Sequence, residues 1–279
     1  MAMAGDVGDV RAEVISTYEI APDFHLTRLL AREISTARPG QFVNIRVRDG
    51  IDPFLRLPLS VAAADPVAGT IDLMYEDLGP KSHALCQAAI DSHLACLGPL
   101  GNSFPKPDKA QSVILVAGGI GLPPVLFYGR HLIEAGVRDV RLLVGARNSR
   151  KLLPDELFVG SASAVSVATD DGSLGHHGLV TDLLDRELGE ASGRGESVPP
   201  LVCSCGPHLM MSAVAAMCAE RAVACYVSLE EYMACGFGVC VGCVVERLPS
   251  TGGSDVSPYN SYSRICVDGP VYNALEINW

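Results

Sequence analysis

The chain has 279 residues, 48% hydrophobic and 19% charged; this is enough for about two domains with buried cores and excludes a disordered protein. Its formal net charge of −11 argues against a nucleic-acid partner, because phosphate binding requires a basic surface. Two uncharged stretches, Gln111–Gly129 and Pro199–Ala219, contain clustered Gly and Pro and predict buried strands and turns, with no membrane span. Met1–Val10 has no apolar signal-peptide region, so we expect a cytoplasmic protein with free cysteines.

The N-terminal part has the pattern of an antiparallel β domain. Val10–Ile20 is rich in β-forming residues, and Gln41–Arg48 and Thr70–Leu78 alternate between apolar and polar side chains. Gly and Pro separate these runs, and one helix is predicted near Ser82–Ile90. Short strands at this spacing predict an antiparallel barrel or sandwich over residues 1–107.

In the middle of the chain, residues 108–226, short apolar strands alternate with helices. This order predicts a parallel sheet with crossover helices. The predicted strands are Val113–Ala117, Val140–Val144, Ala164–Ala168 and Leu201–Cys205, and the predicted helices are Val125–Ala135, Leu179–Leu188 and Leu209–Arg221.

The remainder, residues 227–279, lacks periodicity and is rich in Cys and Gly. Cys235, Cys240 and Cys243 follow the C-x4-C-x2-C spacing, and Cys266 comes after 22 further residues. This is the plant-type [2Fe–2S] ligand spacing, and the glycines between the cysteines allow the backbone to wrap closely around a cluster. A zinc site, a redox C-x-x-C pair and chance clustering are the alternatives, although a four-cysteine zinc site usually has two C-x2-C pairs.

Two turns follow predicted parallel strands. Gly118-Gly119-Ile120-Gly121 would allow a dinucleotide pyrophosphate to approach a helix N-terminus, and Cys205-Gly206-Pro207 would lie beside it. Ordinary tight turns, with Cys205 merely buried, explain the same residues. Arg56 and Ser60 would suit a phosphate-bearing cofactor, although taken alone these residues favour a surface arginine on a barrel strand.

The chain resembles the ferredoxin-reductase-like flavoproteins in the order of its motifs, which runs from the β domain with Arg56 and Ser60, through the two glycine turns, to the cysteine loop. The run from Ser228 to Cys243, with Ile265–Tyr272, closely resembles the electron-transfer subunits of dihydroorotate dehydrogenase B. The resemblance implies a multidomain α+β chain: an antiparallel β-barrel FAD domain (1–107), an α/β parallel-sheet NAD domain (108–226) and a small C-terminal [2Fe–2S] domain (227–279).

The resemblance also implies the cofactor-binding residues. Leu57 stands where the family often has a second arginine, and Lys81-Ser82 stands where it often has Gly-Thr. The residues implied for FAD are Arg56, Leu57, Pro58, Leu59, Ser60, Met74, Tyr75, Glu76, Lys81 and Ser82; for NAD they are Gly118, Gly119, Gly121, Cys205, Gly206 and Pro207; and for the cluster they are Cys235, Cys240, Cys243 and Cys266.

The function implied by the resemblance is electron transfer in pyrimidine biosynthesis. Electrons would pass from a partner FMN subunit that oxidises dihydroorotate, through the cluster and FAD, to NAD⁺, in a heterotetramer of two plus two subunits. Arg147, Arg150 and Lys151 would suit a 2′-phosphate, which leaves NADP open. The alternatives are a subunit of another NAD(P)H:ferredoxin-type or sulfide-linked reductase, and a non-enzymatic zinc-stabilised nucleotide-binding module.

Overall fold

A computed structural model describes residues 9–193, 198–248 and 261–279 of the chain. The N-terminal part is a closed antiparallel barrel of six strands, which confirms the predicted barrel. Its elements are β1 (Asp9–Ala21), β2 (Phe24–Leu30), β3 (Phe42–Arg46), β4 (Leu57–Asp65), β5 (Thr70–Glu76), α1 (Pro80–Cys86) and β6 (His93–Leu100). The order around the barrel is β1-β2-β5-β4-β3-β6.

Helix α1 begins and ends earlier than predicted, at Pro80 and Cys86. Pro80 suits the first turn of a helix, and the Ser82 hydroxyl accepts hydrogen bonds from the backbone N–H groups of Leu78 and Gly79, each at 3.0 Å. Asp91 adopts a φ of 65° in the turn before β6, so the chain cannot continue as a helix there.

The middle of the chain forms the predicted parallel sheet. Its elements are β7 (Val113–Gly118), α2 (Leu122–Glu134), β8 (Val140–Ala146), β9 (Ala164–Thr169), β10 (His176–His177), α3 (Val180–Gly193), β11 (Leu201–Cys205), α4 (His208–Glu220) and β12 (Cys225–Ser228). These strands lie in the order β10-β9-β8-β7-β11-β12 and all pair in parallel. β12 crosses the boundary predicted after residue 226, and the division into three domains stays a prediction.

The C-terminal segment leaves this sheet and returns to it. It contains β13 (Val244–Glu246), β14 (Tyr262–Arg264), the short helix α5 (Ile265–Asp268) and β15 (Val271–Asn273). β13 and β14 pair with each other, and β15 adds to the sheet antiparallel to β12. Nothing in the periodicity of the sequence predicted β15, because three residues are too few to show alternation.

One apolar core joins the three parts. Phe42 of the barrel, Val202 and Val227 of the sheet, and Ile265 and Tyr272 of the C-terminal segment belong to the same group of buried side chains. The relative positions of the three parts are therefore set by shared packing. No helix among the described residues has the length and apolar character that crossing a membrane requires.

Asn102 links the end of the barrel to the C-terminal segment. Its Nδ2 donates to the carbonyl oxygens of Val271 at 2.8 Å and Asp268 at 3.1 Å, and its Oδ1 accepts from the Val271 N–H at 2.9 Å. Three hydrogen bonds from one amide hold the residues that lead into β15.

We expect Asn102→Ala to lower the free energy of unfolding by about 2 kcal/mol, because three hydrogen bonds are lost and two carbonyls lose a donor. Chemical denaturation would measure the change. Asn278→Ala is the matched control: it removes a single exposed bond to Glu246, and we expect a cost under about 0.5 kcal/mol. Equal costs for the two variants would contradict this role of Asn102.

Candidate functional site

A cavity of about 580 Å³ lies where the barrel, the parallel sheet and the C-terminal segment meet. Its size is typical of a site for a small organic ligand or cofactor. All three parts supply lining residues, so the cavity lies between them and does not belong to a single part. The lining residues are Phe42, Leu57, Pro58, Leu59, Ser60, Met74, Tyr75, Glu76, Leu78, Ser82, Ile120, Pro123, Leu229, Glu230, Glu231, Tyr232, Met233 and Pro270.

Most residues that the resemblance implies for FAD lie in this wall. β4 and β5 are neighbours in the barrel, so the run after Arg56 and the end of β5 face the same space. Tyr75 is fixed there by a 2.9 Å hydrogen bond between its hydroxyl and that of Thr27, and burial raises the pKa of the Tyr75 phenol. The implied residues that line the cavity are Leu57, Pro58, Leu59, Ser60, Met74, Tyr75, Glu76 and Ser82.

The two predicted cations, Arg56 and Lys81, do not line the cavity. Arg56 pairs with Asp9 at 2.8 Å and donates to the carbonyl oxygens of Asn44 and Ala95 at 3.4 and 3.3 Å. Lys81 Nζ donates to the Arg56 carbonyl oxygen at 3.0 Å, and burial lowers the pKa of its ammonium group. Both side chains therefore bond to residues next to the cavity wall and do not face the cavity.

The two glycine turns lie side by side. β7 and β11 are adjacent parallel strands with Ala117 opposite Cys205, so the turns that follow them emerge together. A Cβ on Gly121 would overlap the carbonyl group of Cys205, and a Cβ on Gly206 would lie 2.8 Å from the Gly118 oxygen. Close approach of the two turns thus requires glycine at these positions.

None of the six residues implied for NAD lines the cavity itself. Ile120 and Pro123, from the same turn and helix, reach it instead. The implied residues Gly118, Gly119, Gly121, Cys205, Gly206 and Pro207 thus lie in the turns beside that wall.

Cys205 meets an acidic residue at the edge of the cavity. Its fully buried Sγ lies 3.8 Å from Oε1 of Glu230, which lines the cavity. Burial and the nearby Glu230 carboxylate raise the pKa of the Cys205 thiol, and burial raises the pKa of Glu230. Glu230 is an exposed residue, so solvent moderates this effect on its carboxyl.

Lys151 bridges the sheet and the barrel. Its Nζ lies 2.8 Å from Oε1 of Glu76 and 3.3 Å from Oδ2 of Asp23, and 5.6 Å from the ring centroid of Phe24. Glu76 lines the cavity, so this ion pair connects the loop after β8 to the cavity wall. Of the three bases considered for a 2′-phosphate, Lys151 is thus already paired within the protein.

The predicted cluster residues form a loop and a paired strand end. Cys235 Sγ accepts the N–H of Cys240 at 3.4 Å, while Gly236 and Gly238 adopt φ of +78° and +87°. Burial raises the pKa of Cys235, but N–H groups of Cys240, Phe237 and Val239 outweigh it and lower the pKa to about 6. N–H donors around a sulfur atom stabilise its thiolate form, which is the form that binds a metal.

Strand pairing brings the distant fourth cysteine to this loop. Val244 lies opposite Arg264, and the Ile265 N–H donates to the Cys243 carbonyl oxygen at 2.8 Å. Cys243 and Cys266 are both buried, and burial together with the neighbouring Cys243 thiol raises the pKa of Cys266 to about 12.

Across the described ranges, no three Cys, His, Asp or Glu side chains are placed to hold a single metal ion. The donor set, four thiols that include the neighbouring pair Cys243 and Cys266, would suit a two-iron cluster chemically. Two observations support this: N–H groups surround Cys235, and the pairing of β13 with β14 brings Cys243 next to Cys266.

Sequence reasoning missed the second wall of the cavity. Residues 229–233 line it, yet their sequence was used only as part of a resemblance. Their position immediately before the cysteine loop was the available signal. Ile120 belongs to the Gly118–Gly121 turn and Pro270 to the Ile265–Tyr272 run, whereas Phe42 and Pro123 reach the cavity only through the tertiary fold.

A barrel followed by a parallel sheet, with a cavity between them and a cysteine loop beside it, defines a ferredoxin-reductase-like protein with an iron–sulfur segment. Residues 230–278 match the family model described as the iron–sulfur cluster binding domain of dihydroorotate dehydrogenase B. The chain belongs to the family of dihydroorotate dehydrogenase B electron transfer subunits.

Two relatives and one solved structure illustrate the similarity. The dihydroorotate dehydrogenase B (NAD(+)) electron transfer subunit of Desulforamulus reducens is 33% identical over 96% of this chain and 97% of its own. That of Geobacillus kaustophilus is 36% identical over 97% and 99%. A structure of an NADH-dependent reduced ferredoxin-NADP oxidoreductase, described for flavin-based electron bifurcation, is 28% identical with a TM-score of 0.80, covering 99% of this chain and 92% of that one.

We expect Glu230→Gln to stabilise the chain more at pH 8 than at pH 5. The raised pKa of Glu230 means that the folded state favours the protonated carboxyl, and this stability is lost as pH rises through the folded pKa. Discounted for its accessible surface, the effect is on the order of 1 kcal/mol, or about 2–4 °C in Tm. Thermal unfolding at equal flavin content would measure it.

Glu231→Gln is the control, because Glu231 lines the same cavity without the Cys205 contact. A gain for Glu230→Gln that is the same at both pH values would contradict the assignment.

Proposed function

We propose that this chain passes electrons from an FMN-containing dihydroorotate dehydrogenase subunit, through a [2Fe–2S] cluster and FAD, to NAD⁺. One observation carries this proposal: residues 229–233 line the cavity, and the cysteine loop begins two residues later at Cys235. Two residues span at most about 7 Å. A flavin in the cavity and a cluster on the loop would therefore be close neighbours.

The residues have separate roles in this proposal. A bound flavin supplies exchange between two-electron hydride transfer and single-electron transfer, and a cluster supplies single-electron transfer. The run from Leu57 to Ser60, residues 74–76 and Ser82 hold the flavin, with Arg56 and Lys81 bracing that wall. The turns at Gly118–Gly121 and Cys205–Pro207 bracket the nicotinamide, and Cys235, Cys240, Cys243 and Cys266 ligate the cluster.

The partner subunit docks, in this proposal, on the outer face of the cysteine loop, and two copies of each subunit assemble. Phe237, Val239 and Val241 are 48%, 73% and 56% exposed, and Cys240 among them is also exposed. Adjacent exposed apolar side chains are typical of an interface. A partner covering this face would place its own electron donor near Cys240.

A cytoplasmic location belongs to the same proposal. All ten cysteines lie among the described residues and none forms a disulfide, as is usual in a reducing compartment.

A second candidate function is a subunit of an NAD(P)H:ferredoxin-type reductase. The similarity to the NADH-dependent reduced ferredoxin-NADP oxidoreductase structure, over 99% of this chain, favours it. Identification of the co-purifying partner would separate the two: an FMN protein that oxidises dihydroorotate supports the first function.

The visible spectrum of anaerobically purified protein, before and after addition of NADH, tests the proposed function. We expect flavin bands and a broad cluster absorption, both bleached by NADH. Cys235→Ala should lose the cluster absorption and keep the flavin bands, while Cys218→Ala, a buried cysteine in α4, should match the unaltered protein. A colourless protein after reconstitution with iron, sulfide and FAD would contradict the proposal and favour the zinc-stabilised module.

We expect Val239→Lys to weaken binding of the FMN subunit by about tenfold or more, because a charge would be buried at the interface. Size-exclusion chromatography with light scattering would measure both affinity and mass. Val67→Lys, at a 92% exposed position in the barrel, is the control. Normal assembly of Val239→Lys would place the interface elsewhere, and a mass of one plus one would contradict the heterotetramer.

A further inference from the structure

The outer face of β3 lies against the cysteine segment. Val43 and Ile45 point into the barrel, so Phe42 and Asn44 point outward. Phe42 packs in the same buried group as Cys243 and Cys266. Asn44 is completely buried, and a polar side chain at such a position requires an explanation.

Asn44 contacts the backbone of the first cluster cysteine. Its Nδ2 donates to the Cys235 carbonyl oxygen at 3.1 Å. The next residue, Gly236, lies so close that a Cβ there would overlap the Asn44 amide, and its φ of +78° suits glycine. The loop backbone therefore rests directly on this side chain.

Asn44 is also connected to the cavity. In the pairing of β3 with β4 it lies opposite Pro58, which lines the cavity. Its carbonyl oxygen accepts a hydrogen bond from Arg56 at 3.4 Å. One residue thus joins the cavity wall, through its backbone, to Cys235, through its side chain.

The other half of the Asn44 amide has no partner. Its buried Oδ1 accepts no hydrogen bond from the described residues. A buried acceptor left unpaired destabilises a fold, and a leucine of similar shape would avoid that cost. The hydrogen bond from Nδ2 to the Cys235 carbonyl oxygen is therefore the interaction that sets this side chain apart from an apolar one.

We propose that Asn44 is a positioning residue that holds Cys235, and with it the cluster, at a fixed distance from the flavin cavity. The inference rests on the proposed function, because it assumes a cluster on the cysteine loop. On this proposal the position of the cluster depends on a residue of the barrel as well as on the cysteine segment.

The test compares Asn44→Leu and the isosteric Asn44→Asp with the unaltered full chain. A leucine side chain has no donor for the Cys235 carbonyl, and an ionised aspartate can only accept hydrogen bonds, so the Asn44→Asp variant is measured at a pH where the carboxylate is ionised. We expect both variants to release iron to a chelator at least tenfold faster and to show altered g-values in the electron paramagnetic resonance spectrum of the reduced cluster. The delay between flavin and cluster bleaching by NADH should lengthen several-fold.

Ser161→Ala is the matched control, because Ser161 is equally buried and donates its hydroxyl to one backbone carbonyl, that of Phe158, at 2.7 Å. Unchanged iron release and spectra in both Asn44 variants would overturn the proposal. Equal acceleration by Ser161→Ala would also overturn it, and so would failure of both Asn44 variants to fold, since Asn44 would then be structural only. Absence of iron from the unaltered protein would instead contradict the proposed function.

Discussion

The pairing of β15 with β12 determines where the cysteine segment can lie. Ser228 lies opposite Val271, and the Leu229 N–H donates to the Pro270 carbonyl oxygen at 2.9 Å. The chain between these points is therefore an excursion whose two ends are hydrogen-bonded together at the cavity wall. Because both ends are fixed, Cys235, six residues after Leu229, and Cys266, four residues before Pro270, are tethered close to the cavity wall.

Within that excursion the four cysteines differ in exposure. Cys243 and Cys266 are buried in the core shared with the barrel, Cys235 is half-buried, and Cys240 is exposed. The arrangement has an inner side packed in the shared core and an outer side toward solvent. A one-electron carrier held there would connect the two sides, as expected of a subunit that carries electrons between an internal cofactor and another protein.

The sequence predicted most of what depends on local pattern. Alternation predicted a β domain, short apolar runs predicted the parallel sheet, and cysteine spacing predicted the ligand loop. Pairing of Arg56 with Asp9 and of Lys151 with Glu76 could not be predicted, because these partners are far apart in the chain and meet only in the tertiary fold. Asn44 was missed for the same reason: it lies in an otherwise ordinary strand, and only its contact with Cys235 distinguishes it.

The position of β15 has a further consequence for the behaviour of the chain in concentrated solution. An uncovered strand at the edge of a sheet offers free N–H and C=O groups to another molecule. β15 covers the outer edge of β12, and at the opposite edge β10 has only two residues, His176 and His177. β15 then forms the edge itself, with only three residues, so both edges of the sheet are very short strands that offer little to intermolecular pairing, whereas a chain shortened before Val271 would expose the longer β12.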